Sequence, residues 1–362
     1  MSARAMARAS GVLLATALLG AAYPAAAQLQ WSSKDEKMSF KVGLLAQLQG
    51  EAADVAGSDD TANNLFLRRL RLIMGFNLGE KLSVFVETDS PNLGKSSNAG
   101  VKDAGDVFIQ DFVATYKVAP GFMLDGGLLL LEQSYNHNQS AASLLTTDYG
   151  PYSFVESGPT ASRVGRDYGL RARGYAAKDH LEYRLGVYQG VRGTNAANEL
   201  RLVGRLMYSF FTPQVGLFYR GTSLGKTRTL AFGASFDSQE EYDSVGVDVF
   251  FDQPLGNGNG FTLQADYTDV DGGTFLTALP QQTNVLIESG IYLAAAKVQP
   301  FVQYATQDFD APARLDEERF TAGVAYYLNG HNNNVKLSIT KIEPERGDSR
   351  DQINLQWQIF QF

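Results

Sequence analysis

The sequence predicts an all-β chain, a 16-stranded antiparallel transmembrane β-barrel with a long connection folded into it. Three observations lead there. Side chains alternate apolar and polar with period two along most of residues 38–362. Past the N-terminus no apolar run is long enough for a membrane helix. The composition combines 36 glycines, 17 tyrosines and 22 phenylalanines with no cysteine. A period of two puts successive side chains on opposite faces of a strand. Crossing lipid takes either about 20 apolar residues in a helix or strands closed into a barrel. Short strands with aromatic ends and tight turns fit the second.

Residues 1–27 read as a cleaved export signal, leaving residues 28–362 as the barrel. Arg4 and Arg8 precede an apolar run from Gly11 to Ala22, which is followed by the small-residue site Ala25-Ala26-Ala27. A basic start, a short apolar run and small residues at the cut define such a signal, and the run is too short to span a bilayer. Cleavage removes two of the 31 basic residues and none of the 39 acidic ones, so the mature chain carries about −10. That balance excludes nucleic acid as a partner, since phosphate binding needs clustered Lys and Arg. Without cysteine, neither a disulfide framework nor a thiolate metal site is available. His137, His180 and His331 show no metal-ligand spacing, so no metal or cofactor is expected.

In the first strand Met38, Phe40, Val42, Leu44, Ala46 and Leu48 share one face, and Ser39, Lys41, Gly43, Gln47 and Gln49 the other. The pattern recurs over 66–78, 82–89, 107–118, 122–131, 167–176, 181–190, 200–210 and 229–236. It continues over 244–252, 261–269, 284–293, 298–307, 318–328, 334–342 and 352–362, which makes sixteen strands. A weaker stretch at 215–220 is discarded by parity. Bacterial barrels hold an even strand number, with both termini and the short turns on the periplasmic side. Only without it do the long stretches 51–64, 90–106, 132–166 and 270–283 share the outer end. Residues 211–228 then form an unusually long periplasmic connection. In the last strand Ile353, Leu355, Trp357 and Ile359 take one phase and Phe360 and Phe362 the other, so a bulge is expected near Ile359. A soluble β-sandwich would alternate in the same way; the export signal, the strand number and the terminal Phe362 favour the barrel.

With the apolar face toward lipid, the polar face lines the lumen. Arg69, Arg71, Arg171, Arg173, Arg184, Arg201 and Arg205 point inward, and Arg68 is expected to snorkel to the interface. Glu87, Asp89, Asp248, Asp252, Asp266 and Glu288 point inward on other strands. A sided wall would set up a transverse field, and rings of arginine are how pores favour anions. The plainer reading is that these charges pair across strands and merely solvate the lumen; both readings stand open here. The stretch 132–166 is too long for an idle turn. Its Tyr135, Asp148, Tyr149, Tyr152 and Glu156 are candidates for a constriction facing the arginines, although the stretch could equally cap the mouth.

Several pieces resemble the phosphate-selective porin O and P family. Phe66-Leu67-Arg68-Arg69-Leu70-Arg71-Leu72 is similar to that family's arginine-rich strand. Shorter likenesses are Val107 to Asp111 with its inward Asp111, Arg166-Asp167-Tyr168-Gly169, Leu181-Glu182-Tyr183-Arg184, Gly221 to Lys226, and Tyr326 to His331. The resemblance covers nearly all of the mature chain. It implies a homotrimeric porin in the outer membrane of a Gram-negative bacterium, in contact with lipid and lipopolysaccharide. Such a porin passes small hydrophilic solutes or anions by diffusion, with Arg69 and Arg71 on the pore-lining strand. The outer loops here are poor in lysine and rich in aspartate, so a broader or different anion preference is as much expected as phosphate. An outer-membrane enzyme would need a base beside its nucleophile, and among the histidines only His137 falls in an outer loop. A plugged structural barrel is the other alternative; Gly169, Gly186 and Gly246 at inward positions would thin the wall filling and favour an open channel.

Overall fold

A computed structural model describes residues 29–97, 100–193 and 199–362. The expected export signal lies outside the described residues. Seventeen strands are found among them, and sixteen close a barrel: β2 Met38–Asp54, β3 Thr61–Leu78, β4 Leu82–Asp89, β5 Phe108–Ala119, β6 Phe122–Leu130, β7 Arg166–Ala176, β8 Leu181–Tyr188 and β9 Arg201–Ser209, followed by β10 Thr229–Gln239, β11 Tyr242–Leu255, β12 Asn259–Asp271, β13 Gln282–Tyr292, β14 Val298–Phe309, β15 Glu317–Asn329, β16 Asn333–Pro344 and β17 Arg350–Gln361. Each pairs antiparallel with its neighbours in sequence, and β17 returns to β2 with Gln361 opposite Leu44. Closure leaves no unpaired edge in the membrane. The short β1, Leu29–Ser32, was not expected from the sequence; it pairs with the start of β2, Leu29 opposite Val42, beyond the point where β17 stops.

The barrel is inside-out relative to a soluble protein. Leu72, Leu185, Leu206, Phe232, Val247 and Leu337 are exposed on its outer face. On the same strands Arg71, Arg184, Arg205, Asp248 and Lys336 are buried. Because neighbouring strands hydrogen-bond to one another around the barrel, its outer face can be apolar while polar side chains fill the interior. The two ends differ. Residues 131–165, 90–107 and 189–200 connect strands at one end. At the other the turns are short, as at Pro120-Gly121, where Gly121 adopts φ +75° and a Cβ would stand 2.5 Å from the Tyr175 carbonyl oxygen. Residues 210–228 are the exception at this end, and they contain no strand, in line with discarding 215–220.

Two local expectations are corrected. The ladders of β17 with β16 and β2 run without a register shift, so there is no bulge near Ile359. Phe360 and Phe362 instead turn inward and pack against Leu45 and Ile73, which gives them an apolar surrounding without breaking the ladder. Gly169 and Gly186 do not thin the wall, because the Tyr188 ring fills the space over both: a Cβ on either would stand 2.4 Å from it.

Candidate channel lumen

Every predicted wall arginine is buried, and every one meets a carboxylate. Arg71 bonds Glu87 and Asp89 of β4 at 2.7 and 2.9 Å. Arg171 bonds Asp125 of β6 at 2.6 Å and Glu132 at 2.5 Å, and Arg173 shares Asp125 at 2.6 Å. Arg184 bonds Glu182 at 2.7 Å, Arg205 bonds Asp248 at 2.6 Å, and Arg201 donates through Nε to Asp237 at 2.7 Å. Asp111, fully buried, holds Arg166 at 3.2 Å. The sided wall therefore gives way to interleaved pairs. An unpaired charge in this interior would cost several kcal/mol, on the order of 3–5. The partners Asp125, Glu132, Glu182 and Asp237 were missed in the sequence. Asp125 was legible, since it shares the inward parity of β6 next to the β7 arginines.

Arg68 does not reach the lipid interface. Gln47 pairs with Arg69 and Leu48 with Leu67, so Arg68 is the extra residue of a β-bulge. A bulge re-aims a side chain, and here Arg68 Nε donates to Asp148 Oδ2 at 2.6 Å while Arg69 Nη2 donates to Oδ1 at 2.5 Å. Burial alone would raise the Asp148 carboxyl, but the two guanidiniums outweigh it and hold the group well below the usual carboxylate range. The Tyr149 ring lies 5.2 Å from the Arg69 guanidinium.

Residues 131–165 contain no helix or strand, and most are buried. Their polar groups bond to buried side chains far around the ring. Lys336 Nζ of β16 donates to the carbonyls of Leu144 and Thr146 at 2.6 and 2.7 Å, and Gln358 Nε2 of β17 to that of Ala142 at 2.8 Å. Asp266 of β12 accepts from the Asn136 amide at 2.9 Å. Tyr135 stacks between Tyr219 and Phe250, and Tyr152 Oη donates to Glu317 at 2.8 Å. Glu156 lies 3.5 Å from His137, whose ring is buried against Phe154 and whose pKa burial lowers.

The wall from β13 through β17 to β2 carries mostly amides and hydroxyls. Gln356 donates to Gln49 at 3.0 Å, Gln49 to Asn354 at 3.0 Å and Gln47 is bonded to Gln358 at 2.8 Å. Between this wall and Tyr149 lies a cavity of about 400 Å³, lined by Gln49, Gln303, Thr321, Thr340, Gln352 and Asn354 on one side and by Arg68, Arg69 and Asp148 on the other. Lys95, Arg319 and Glu51 complete its charged lining. Of the predicted wall arginines only Arg69 reaches this cavity.

Fold and lumen together define the class: a closed barrel with the architecture of outer-membrane porins, apolar outside and polar within. No family model matches the chain, and no curated protein matches it in sequence. Among solved structures, an anion-selective porin from Comamonas acidovorans shares the fold with TM-score 0.62 at 11% identity, covering 90% of this chain and 100% of that one. The trimer form of OmpT, an outer membrane protein of Vibrio cholerae, gives 0.53 at 11% identity, covering 89% and 99%. OpdK of Pseudomonas aeruginosa with vanillate gives 0.52 at 10% identity, covering 89% and 98%.

Proposed function

We propose that this chain is a Gram-negative outer-membrane porin, without enzymatic activity, that passes small hydrophilic solutes and ions by diffusion and favours anions, phosphate among them. Residues 131–165 fold into the barrel as its constriction. The export signal is cleaved, the barrel contacts lipid and lipopolysaccharide, and three copies associate. The observation that carries the reading is the charge around the 400 Å³ cavity: four cationic side chains line it, Arg68 and Arg69 sharing Asp148, Lys95 on Glu51 and Arg319 on Glu317, so that cations outnumber the carboxylates that hold them. A local positive excess between low-dielectric walls concentrates anions. The deeper arginines, each bonded to a carboxylate, hold the wall together and add little net charge. Supporting the trimer is one protein of the same fold described as a trimer.

Single-channel recording in planar bilayers under a salt gradient tests this. The wild-type chain is expected to conduct with an anion-directed reversal potential, and Arg68→Gln with Arg69→Gln to weaken that preference. A cation-directed potential in both proteins would overturn the anion reading. The second reading, a plugged barrel, draws on the stacking of Tyr135 on Tyr219, which brings together connections from the two ends of the barrel; an absence of current would favour it.

A further inference from the structure

The connection between β9 and β10 belongs to the end of the barrel whose other turns are short, yet it spans residues 210–228. Its stretch Phe218–Thr222 touches widely separated walls. The Phe218 ring meets Phe85 of β4 with centroids 5.5 Å apart. Thr222 accepts from Gln299 Nε2 of β14 at 3.1 Å. Counted around the ring, β9, β4 and β14 stand five, six and five strands apart. Five residues that reach β4 and β14 from a connection rooted at β9 have to run across the lumen.

Within that stretch Tyr219 is buried. Its hydroxyl donates to Glu182 at 2.6 Å and accepts from Arg205 Nε at 3.0 Å, so it sits inside the charge pairs of the wall. Its ring stacks on Tyr135 at 4.8 Å, from the connection that enters at the other end. The backbones join as well: the Tyr219 amide donates to the Asn138 carbonyl at 2.8 Å, and the Ser140 amide donates to the Tyr219 carbonyl at 3.0 Å. Tyr135 Oη donates to the Arg220 carbonyl at 2.8 Å, and the Gly221 amide to Ser143 Oγ at 2.9 Å. Hydrogen bonds shielded from water are costly to leave unmade, so the two connections hold each other in position.

We infer that residues 210–228 form a second pore-narrowing element and that Tyr219 is its positioning residue, locking the β6–β7 connection from the opposite end. A solute must pass beside the joined connections, so this contact sets the width of the channel. The inference rests on the porin reading above.

The Thr212 amide already donates to the Arg228 carbonyl at 3.0 Å, so residues 213–227 can be replaced by Asn-Gly, a two-residue hairpin turn. Heat-dependent gel mobility confirms that each variant forms a barrel. Single-channel conductance of the shortened chain is expected to rise at least twofold over wild type. Tyr219→Ala should raise it less, and Tyr219→Phe, which keeps the ring, least. A folded shortened chain with wild-type conductance overturns the proposal. The contact is read separately from conduction: in this cysteine-free chain, Gln139→Cys with Tyr219→Cys, a bridged backbone pair, should form a disulfide in the folded barrel. Two free thiols there, together with wild-type conductance in Tyr219→Ala, would overturn the joining of the connections. A silent wild type with a conducting shortened chain supports the proposal in its strongest form. If both are silent while the disulfide forms, the channel reading has failed and the width-setting role with it.

Discussion

The two halves of the barrel wall are built from different chemistry. From β3 to β11 the interior is held by arginine–carboxylate pairs, such as Arg71 with Glu87 and Asp89 and Arg205 with Asp248. From β13 to β17 and on to β2 it is held mainly by neutral amides and hydroxyls, such as Gln356 on Gln49 and Thr321 with Thr340. The first half resists loss of any member, because the partner is left as a buried charge. The second tolerates it, because an unpaired amide beside a water-accessible cavity can be rehydrated. The charges that line the cavity are therefore few, and three of them, Arg68, Arg69 and Asp148, sit where the halves meet.

Substitutions can break this contrast. Arg71→Ala leaves two buried carboxylates facing each other and is expected to destabilise the barrel by about 3–5 kcal/mol. Urea titration in lipid vesicles, followed by the fluorescence of the chain's two tryptophans, measures it. Tyr188→Phe removes the hydroxyl that reaches both oxygens of Glu132 at 2.7 and 2.8 Å; bonds to a charged group contribute roughly 1.5–3 kcal/mol. Gln356→Ala in the amide half should cost only about 1 kcal/mol in the same titration. If Gln356→Ala proves as damaging as Arg71→Ala, the contrast between the halves is wrong.

A smaller effect concerns pH. The folded Asp148 carboxyl lies below its ordinary value of about 3.9, held down by Arg68 and Arg69 against the opposing effect of burial. Its stabilisation is thus complete above the unfolded value and is lost only as pH falls through the lower folded one. The difference in reversal potential between wild type and Asp148→Asn should stay constant from pH 7 to pH 5. A change within that window would contradict the clasp.

Strand alternation made the barrel legible: all sixteen long strands lie where period two puts them, with ends shifted by a few residues. Parity also placed the wall arginines inside. What parity could not show was pairing, since the partners of Arg201 and Arg171 include Asp237, just past the recognised end of its strand, and Glu132, in a connection without period. Nor could it show the bulge at Arg68, because a single inserted residue looks the same as an outward one. The role of Gly169 and Gly186 was hidden because the ring that fills their space belongs to Tyr188, on the neighbouring strand for one and two residues along for the other. Residues 210–228 carry only the weak alternation of 215–220, which parity discards, so nothing in the sequence shows that Tyr219 meets Tyr135.

The central claim is that solutes pass the Arg68–Asp148–Arg69 clasp and sense its charge. Reversal potential in a salt gradient, wild type against Asp148→Asn, tests it most directly. Removing one of the two carboxylates that line the cavity should free both guanidiniums and move the potential further toward anions. An unchanged potential in a conducting, folded variant would place the selective point elsewhere and contradict the account.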